Sequence, residues 1–176
     1  MPTAYLSLGS NLGDRAAHLR SAIQALRAPG LRVVALSPLY ETEHVGDTSQ
    51  PRPDYLNCVV RLECELEPRA LLHYTRSVER ALGRTPAVRW APRPIDIDLL
   101  LVGDAVVSDA ELELPHPRMH ERAFVLVPLS ELAPALQLPD GRRIADIVGA
   151  PSIREQRIRR IDLADWPGEL APAHAE

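Results

Sequence analysis

The chain of 176 residues contains no lysine: all 20 of its Lys+Arg positions are arginine. That absence excludes the Schiff-base lysine of pyridoxal phosphate chemistry and the lysine of a P-loop. If the chain handles phosphate, arginine must grip it, and a guanidinium does so bidentately. Cysteine is nearly as scarce. Cys58 and Cys64 stand six residues apart in one extended run, roughly 20 Å at strand rise, so they cannot bridge each other and read as small buried apolar side chains. Aromatic residues make up 4% and the net charge is −4. RNA recognition on a sheet wants exposed aromatics and a basic surface, and non-specific nucleic-acid binding wants bulk positive charge; neither is available. No apolar run approaches the roughly 20 residues of a membrane helix. The N-terminus enters a strand-like run, Ala4–Leu8, without the features of a cleavable signal. The expectation is a cytoplasmic protein, monomeric, with small-molecule partners and neither a nucleic-acid nor a membrane partner.

What is present is a globular composition, 45% hydrophobic and 25% charged, in a length that suits one domain with a sizeable core. The element order reads β–α–β–β–α–β. The first strand is about Ala4–Leu8, followed by the turn GSNLGD. The first helix is about Arg15–Arg27, with Leu19, Ala22, Ile23 and Leu26 on one stripe and Pro29-Gly30 beyond its end. The second strand is Arg32–Tyr40. The third, Tyr55–Leu66, alternates cleanly: Leu56, Cys58, Val60, Leu62, Cys64 and Leu66 on one face, Tyr55, Asn57, Val59, Arg61, Glu63 and Glu65 on the other. The second helix has Pro68 in its first turn and Gly83 after its last, and a stripe of Leu71, Leu72, Thr75, Val78 and Leu82. The fourth strand is Pro94–Val102.

This order predicts an α+β fold, a ferredoxin-like βαββαβ sandwich: an antiparallel sheet with two helices on one face, the other face free for ligand, plus a C-terminal extension. Residues 1–150 read as a single domain, with a short helix near Val125–Leu132 and an extended piece at Ile144–Ile147. Residues 151–176 read as a partly disordered tail in which IREQRIRRI suits a helical turn or two.

The chemistry concentrates in WAPRPIDIDLLLVGD, Trp90 to Asp104. Ile95, Ile97, Leu99 and Leu101 share one strand face; Asp96 and Asp98 share the other, about 6.5–7 Å apart. An ionised Asp in an apolar strand costs several kcal/mol unless something pairs with it. Two carboxylates so spaced suit Mg²⁺, a hard cation that keeps waters and takes substrate phosphates; a salt-bridged or solvated strand face is the alternative. The loop GRTPAVRWAPR, Gly83–Arg93, carries Arg84, Arg93 and Trp90, suited to phosphates and a ring, or simply to solvent. Glu79, late in the second helix, opposes the helix dipole; it is either solvated or an acceptor for a bound nucleotide. Tyr55 and Asn57 suit a flat heterocycle by stacking and amide hydrogen bonds, or a cross-strand pair. His116 and His120 follow a proline-rich turn, which disfavours a joint metal site.

Taken together, AYLSLGSNLGDR, SPLYET, QPRPDYLNCVV, VERALGR, RWAPRPIDIDLLL and LPHPRMHERAFVLVPL resemble the 6-hydroxymethyl-7,8-dihydropterin pyrophosphokinase family. They run in family order over about Ala4–Leu129, with looser similarity to near Val148. The resemblance implies transfer of the β,γ-pyrophosphoryl unit of ATP to the pterin hydroxymethyl oxygen in folate biosynthesis. It implies that Asp96 and Asp98 hold two Mg²⁺ ions, and that Arg84 and Arg93 act in catalysis with them. It places Thr42, Val45, Gly46, Tyr55, Asn57 and Phe124 with the pterin, and Glu79, Arg84, Trp90, Arg93, Leu99, His116 and Arg122 with ATP. Residues 43–54 and 83–93 resemble moving lids. Thr85–Val88 departs from the family in carrying no basic residue, and PRP at 51–53 is an extra-looking insertion. A small regulatory binding domain and a metal-dependent phosphohydrolase are the rival classes.

Overall fold

The computed structural model of the protein describes residues 1–43, 52–83 and 92–167. Its first half follows the order read from the sequence with one strand more: β1 (Thr3–Ser10), α1 (Arg15–Ala25), β2 (Leu31–Leu36), β3 (Leu39–Thr42), β4 (Tyr55–Cys64) and α2 (Pro68–Ala81). Then come β5 (Asp96–Val102), a small hairpin of β6 (Val107–Ser108) and β7 (Glu113–Leu114), α3 (Ala123–Leu132), α4 (Ile144–Val148), α5 (Pro151–Arg154) and β8 (Ile158–Ile161). The main sheet is antiparallel, in the order β5-β1-β4-β3-β8, with β2 also pairing β4.

One face of the sheet packs on α1 and α2. Leu6 and Leu8 of β1 and Cys58, Val60 and Leu62 of β4 meet Leu19, Ile23 and Leu71 there, all sealed from solvent. Each fully buried Leu or Ile contributes about 1.5–3 kcal/mol by leaving water. Asp14 caps α1, its carboxylate accepting the Ala17 N–H at 3.0 Å. Gly83 ends α2 at φ 96°, a left-handed conformation that a Cβ would strain. Cys58 and Cys64 are buried and unbridged, and burial pushes the Cys58 thiol up to about 12.

Four features depart from the sequence reading. The run Arg32–Tyr40 is two strands, not one. Pro38, with no N–H to donate, interrupts the run, and at the break Ser37 bonds β4 through both groups: its hydroxyl accepts the Val59 N–H at 2.8 Å and its own N–H donates to the Val59 carbonyl at 2.9 Å. In β5 a bulge intervenes: Tyr5 pairs with Leu101 but Leu6 with Leu99, leaving Leu100 as the extra residue. Leu101 therefore turns to the opposite face from Ile97 and Leu99. There it joins Tyr5, Val59 and Leu100 in a second core, covered by Leu126 and Leu129 of α3, Ile144 of α4 and Ile153 of α5. The face expected to be free is thus half occupied by helices, and 144–148 is helical rather than extended. Last, residues from the tail enter the fold: α5 follows Ala150, and β8 adds a strand to the edge of β3.

The part of the second face left uncovered is polar or bare. Ser7 stands opposite Val59 and Asp98, and Gly9 opposite Asn57 and Asp96. Burying such side chains under a helix would cost hydration without apolar gain.

Candidate active site

A cavity of about 420 Å³ lies against this uncovered part of the sheet, within the range of small-molecule sites. Its floor is a cross-strand row, Asn57, Gly9 and Asp96, with Asp98 and Ser7 in the next. Two strand spacings separate Asn57 from Asp96, about 10 Å. Gly9 in the middle has to lack a side chain: a Cβ there would stand 2.7 Å from Asn57 Oδ1. Asn57 is buried, and its Nδ2 donates to Thr42 Oγ1 at 2.8 Å. That bond fixes the amide orientation and turns Oδ1 toward Gly9. Tyr55, Thr42 and Phe124 line the same cavity.

The opposite side is charged. Arg93 Nη1 donates to Asp96 Oδ1 at 3.0 Å. Burial works against the Arg93 charge, but Asp96 outweighs it and the pKa is raised. The backbone of Arg93 is held as firmly as its side chain: Asn11 Oδ1 accepts the Arg93 N–H at 2.8 Å, and the Asn11 N–H donates to the Arg93 carbonyl at 3.2 Å. Asn11 is 1% exposed, and its Nδ2 has no hydrogen-bond partner among the described residues.

Arg122, at the start of α3, lies with its guanidinium carbon 5.6 Å from the Phe124 ring centroid. Burial lowers its pKa, and Asp98 pulls the other way. His116 also lines the cavity. Its N–H bonds the Leu100 carbonyl at 2.9 Å, and its Nδ1 accepts the Arg118 N–H at 3.2 Å, which leaves the ring proton on Nε2. Burial and then the Arg122 charge push its pKa down to about 4, so the ring is neutral at pH 7.

Of the residues singled out from the sequence, Thr42, Tyr55, Asn57, Phe124, Arg93, Asp96, Asp98, His116 and Arg122 meet around this cavity. Glu79 and Leu99 do not line it. Glu79 is buried between α2 and β5, where Oε1 accepts the Ile97 N–H at 2.7 Å, and Leu99 sits in the first core. Val45, Gly46, Arg84 and Trp90 lie outside the described residues. Sequence reasoning missed Asn11, Ser7, Gly9, Glu43 and Arg118. Small residues alternating with Leu6 and Leu8 were the available signal for Ser7 and Gly9; their register against the aspartates was not.

Asp96 and Asp98 present hard oxygen donors on one side of an open cavity, which fits Mg²⁺ with water and phosphate oxygens completing the shell. Among the described residues no cluster of three or more acidic, His or Cys side chains would enclose a metal without such outside ligands.

A family model described as 7,8-dihydro-6-hydroxymethylpterin-pyrophosphokinase matches residues 5–134. A 2-amino-4-hydroxy-6-hydroxymethyldihydropteridine pyrophosphokinase of Methylorubrum extorquens is 49% identical over 156 residues, 88% of this chain and 91% of that one. The Pseudomonas aeruginosa protein of the same name is 42% identical over 147 residues, 83% and 90% of the two chains. Among solved structures, a Plasmodium falciparum HPPK-DHPS superposes with TM-score 0.71 at 14% identity, over 92% of this chain and 49% of the longer one; that likeness concerns the fold.

Proposed function

The chain belongs to the 7,8-dihydro-6-hydroxymethylpterin-pyrophosphokinase family, and we propose that it moves the β,γ-pyrophosphoryl unit of ATP intact onto the hydroxymethyl oxygen of that pterin. The products are AMP and the dihydropterin diphosphate, and the step belongs to folate biosynthesis. The observation that carries this reading is the cross-strand row: an amide acceptor wall at Asn57, a bare saddle at Gly9 and a carboxylate at Asp96, all lining one cavity. Their spacing suits a two-ring heterocycle with a one-carbon arm, ring over Asn57 and arm toward the aspartates. The strand order, with α1 and α2 behind it, supports the finer description of the fold as ferredoxin-like.

Tyr55 and Phe124 cover the ring by stacking, and the fixed Asn57 amide reads its polar edge. Val45 and Gly46 complete the pterin contacts. Asp96 and Asp98 would hold Mg²⁺, in the two-ion arrangement for an intact pyrophosphoryl group. The chemistry such a metal would supply there is neutralisation of phosphate charge and polarisation of the attacking oxygen. The protein's own part is alignment and charge. Arg93, locked by Asn11 and Asp96, meets the negative charge of the transferring group. Arg122 adds a second guanidinium, and neutral His116 donates through Nε2 without adding charge. Arg84 and Trp90 act from the 83–93 segment. Glu79 and Leu99 act on the nucleotide side through β5, the first by fixing the Ile97 amide.

Incubation with ATP, Mg²⁺ and 6-hydroxymethyl-7,8-dihydropterin tests the reading. AMP formed in step with pterin diphosphate is expected. Phosphate release from ATP without pterin would mark a phosphohydrolase, and no turnover a binding domain; either would overturn it.

A further inference from the structure

The family match ends at residue 134, yet the chain beyond it returns to the wall on which Thr42, Tyr55 and Asn57 stand. β8 pairs with β3 along its whole length: Ile158 opposite Thr42, Arg159 opposite Glu41, Arg160 opposite Tyr40. On its other side β3 pairs with β4, Thr42 opposite Tyr55 and Tyr40 opposite Asn57. The short β3, only Leu39–Thr42, is therefore held between two strands, one of them from the far end of the chain.

Glu41 is the fastening. Its neighbour Thr42 lines the cavity; Glu41 points to the opposite face, toward α1. Oε2 accepts from Arg15 Nη2 at 2.7 Å, and Oε1 from Arg159 Nη2 at 2.5 Å. The Glu41 side chain is 17% exposed and that of Arg15 30%, which spares this pair part of the screening that weakens surface ion pairs, whereas Arg159, 74% exposed, is the more screened partner. Arg159 first and then Arg15 hold the Glu41 carboxyl below its ordinary range. Arg15 also donates through Nη1 to the Asp54 carbonyl at 2.8 Å. One arginine on α1 thus grips the residues immediately before Thr42 and Tyr55, the two ends of the 43–54 segment. Past β8, Trp166 packs on the first core, and its Nε1–H bonds the Ser37 carbonyl at 3.1 Å, at the break between β2 and β3. The end of the chain is thereby anchored on both sides of β3.

We propose that Arg15, Glu41 and Arg159 form a clamp through which β8 sets the position of Thr42 and Tyr55, making Glu41 and Arg159 positioning residues for the acceptor. None of the three lines the cavity; they act from behind the wall. The proposal rests on the assignment of that wall to the pterin.

Steady-state kinetics of the full chain, with ATP and 6-hydroxymethyl-7,8-dihydropterin varied in turn, provide the test. Glu41→Gln keeps the shape and removes the charge; it is expected to raise the pterin KM about fivefold, with kcat and the ATP KM within about twofold. Arg159→Ala should raise the pterin KM about threefold, and Arg159→Lys should restore most of the loss. The double variant should be no worse than Glu41→Gln, because the second change then removes nothing that acts. An unchanged pterin KM, equal rises in both KM values, or fully additive losses would each overturn the clamp. If Glu41→Gln fails to fold, the exposed Arg159 carries the test alone. Asn57→Ala is the reference: should it leave the pterin KM unchanged, the wall itself is misassigned; should it raise that KM while the clamp variants do not, only the clamp fails.

Discussion

On the face of the sheet covered by α1 and α2, β1, β4 and β5 present Leu6, Leu8, Cys58, Val60, Leu62 and Ile97, nearly all out of reach of solvent. On the other face the same three strands present Ser7, Gly9, Tyr55, Asn57, Asp96 and Asp98 beside a cavity. The two sets alternate residue by residue. Acids show the contrast most sharply. Glu79 enters the helix side, buried, and accepts the Ile97 backbone N–H, whereas Asp96 and Asp98 open onto space large enough for a ligand. A pleated strand lets stability and chemistry share a backbone with little shared side-chain cost. Changes on one face should therefore show in melting and those on the other in turnover.

The largest expected effect is on the cavity face. Asp98→Ala should reduce AMP formation by at least about a thousandfold, since charge stabilisation at a phosphoryl centre is worth several kcal/mol. Circular dichroism melting should stay within a few degrees of wild type; a collapsed melt would show that Asp98 also holds the fold and would blur the contrast. On the helix-covered face, Leu62→Ala should cost about 3 kcal/mol in urea unfolding, from lost burial and a cavity. KM for both substrates should change little, and a large KM change would break the separation of the faces.

Asn11→Ala sharpens the comparison at the edge of the site. It removes the acceptor for the Arg93 N–H, so kcat should fall about tenfold with pterin affinity preserved. In an Arg93→Ala background the same change should cost little, because Asn11 then has nothing to position. The smallest effect is a pH dependence. His116 titrates at about 4 in the folded protein and near 6.5 when unfolded. Between those values the unfolded chain binds more protons, so stability is lost as pH falls through that window and is unaffected by this group above it. Replacing His116 with Asn should flatten the unfolding free energy between about pH 6.5 and 4 relative to wild type; an unchanged slope would remove His116 as its source.

Much of the fold was legible because period two is a local signal. Tyr55–Leu66 alternates so regularly that its core face, Leu56 to Cys64, matches the residues β4 gives to the core under α1 and α2; Asn57 and Val59 are buried on the other face. Pro68 and Gly83 marked the ends of α2 for equally local reasons. The bulge at Leu100 was not legible, since an extra residue in one strand shows only against its partner, here Tyr5–Leu6. The same holds for the break at Ser37–Pro38, where a side-chain hydroxyl serves as the acceptor for the Val59 N–H. α4 is too short for its periodicity to separate helix from strand, and β8 follows from pairing with β3, 115 or more residues away in the chain. In the site, the residue types of Asp96, Asp98, Arg93, Tyr55 and Asn57 singled them out in the sequence, and the fold brings them to one cavity. Asn11 was not singled out, because its bonds go to a backbone 82 residues away.

Sequence alone determined where β1, β4 and β5 run, which face of β4 is apolar, and that the acids of IDID stand on the face opposite Ile97 and Leu99. These follow from backbone periodicity and the cost of burying charge, both local. Only the tertiary structure decided what those acids face: that Gly9 stands between Asp96 and Asn57, that α3, α4 and α5 cover part of the supposedly free face, and that β8 pairs beside Thr42. Register and strand order are set by contacts between distant segments, whose energies depend on who meets whom across the sheet.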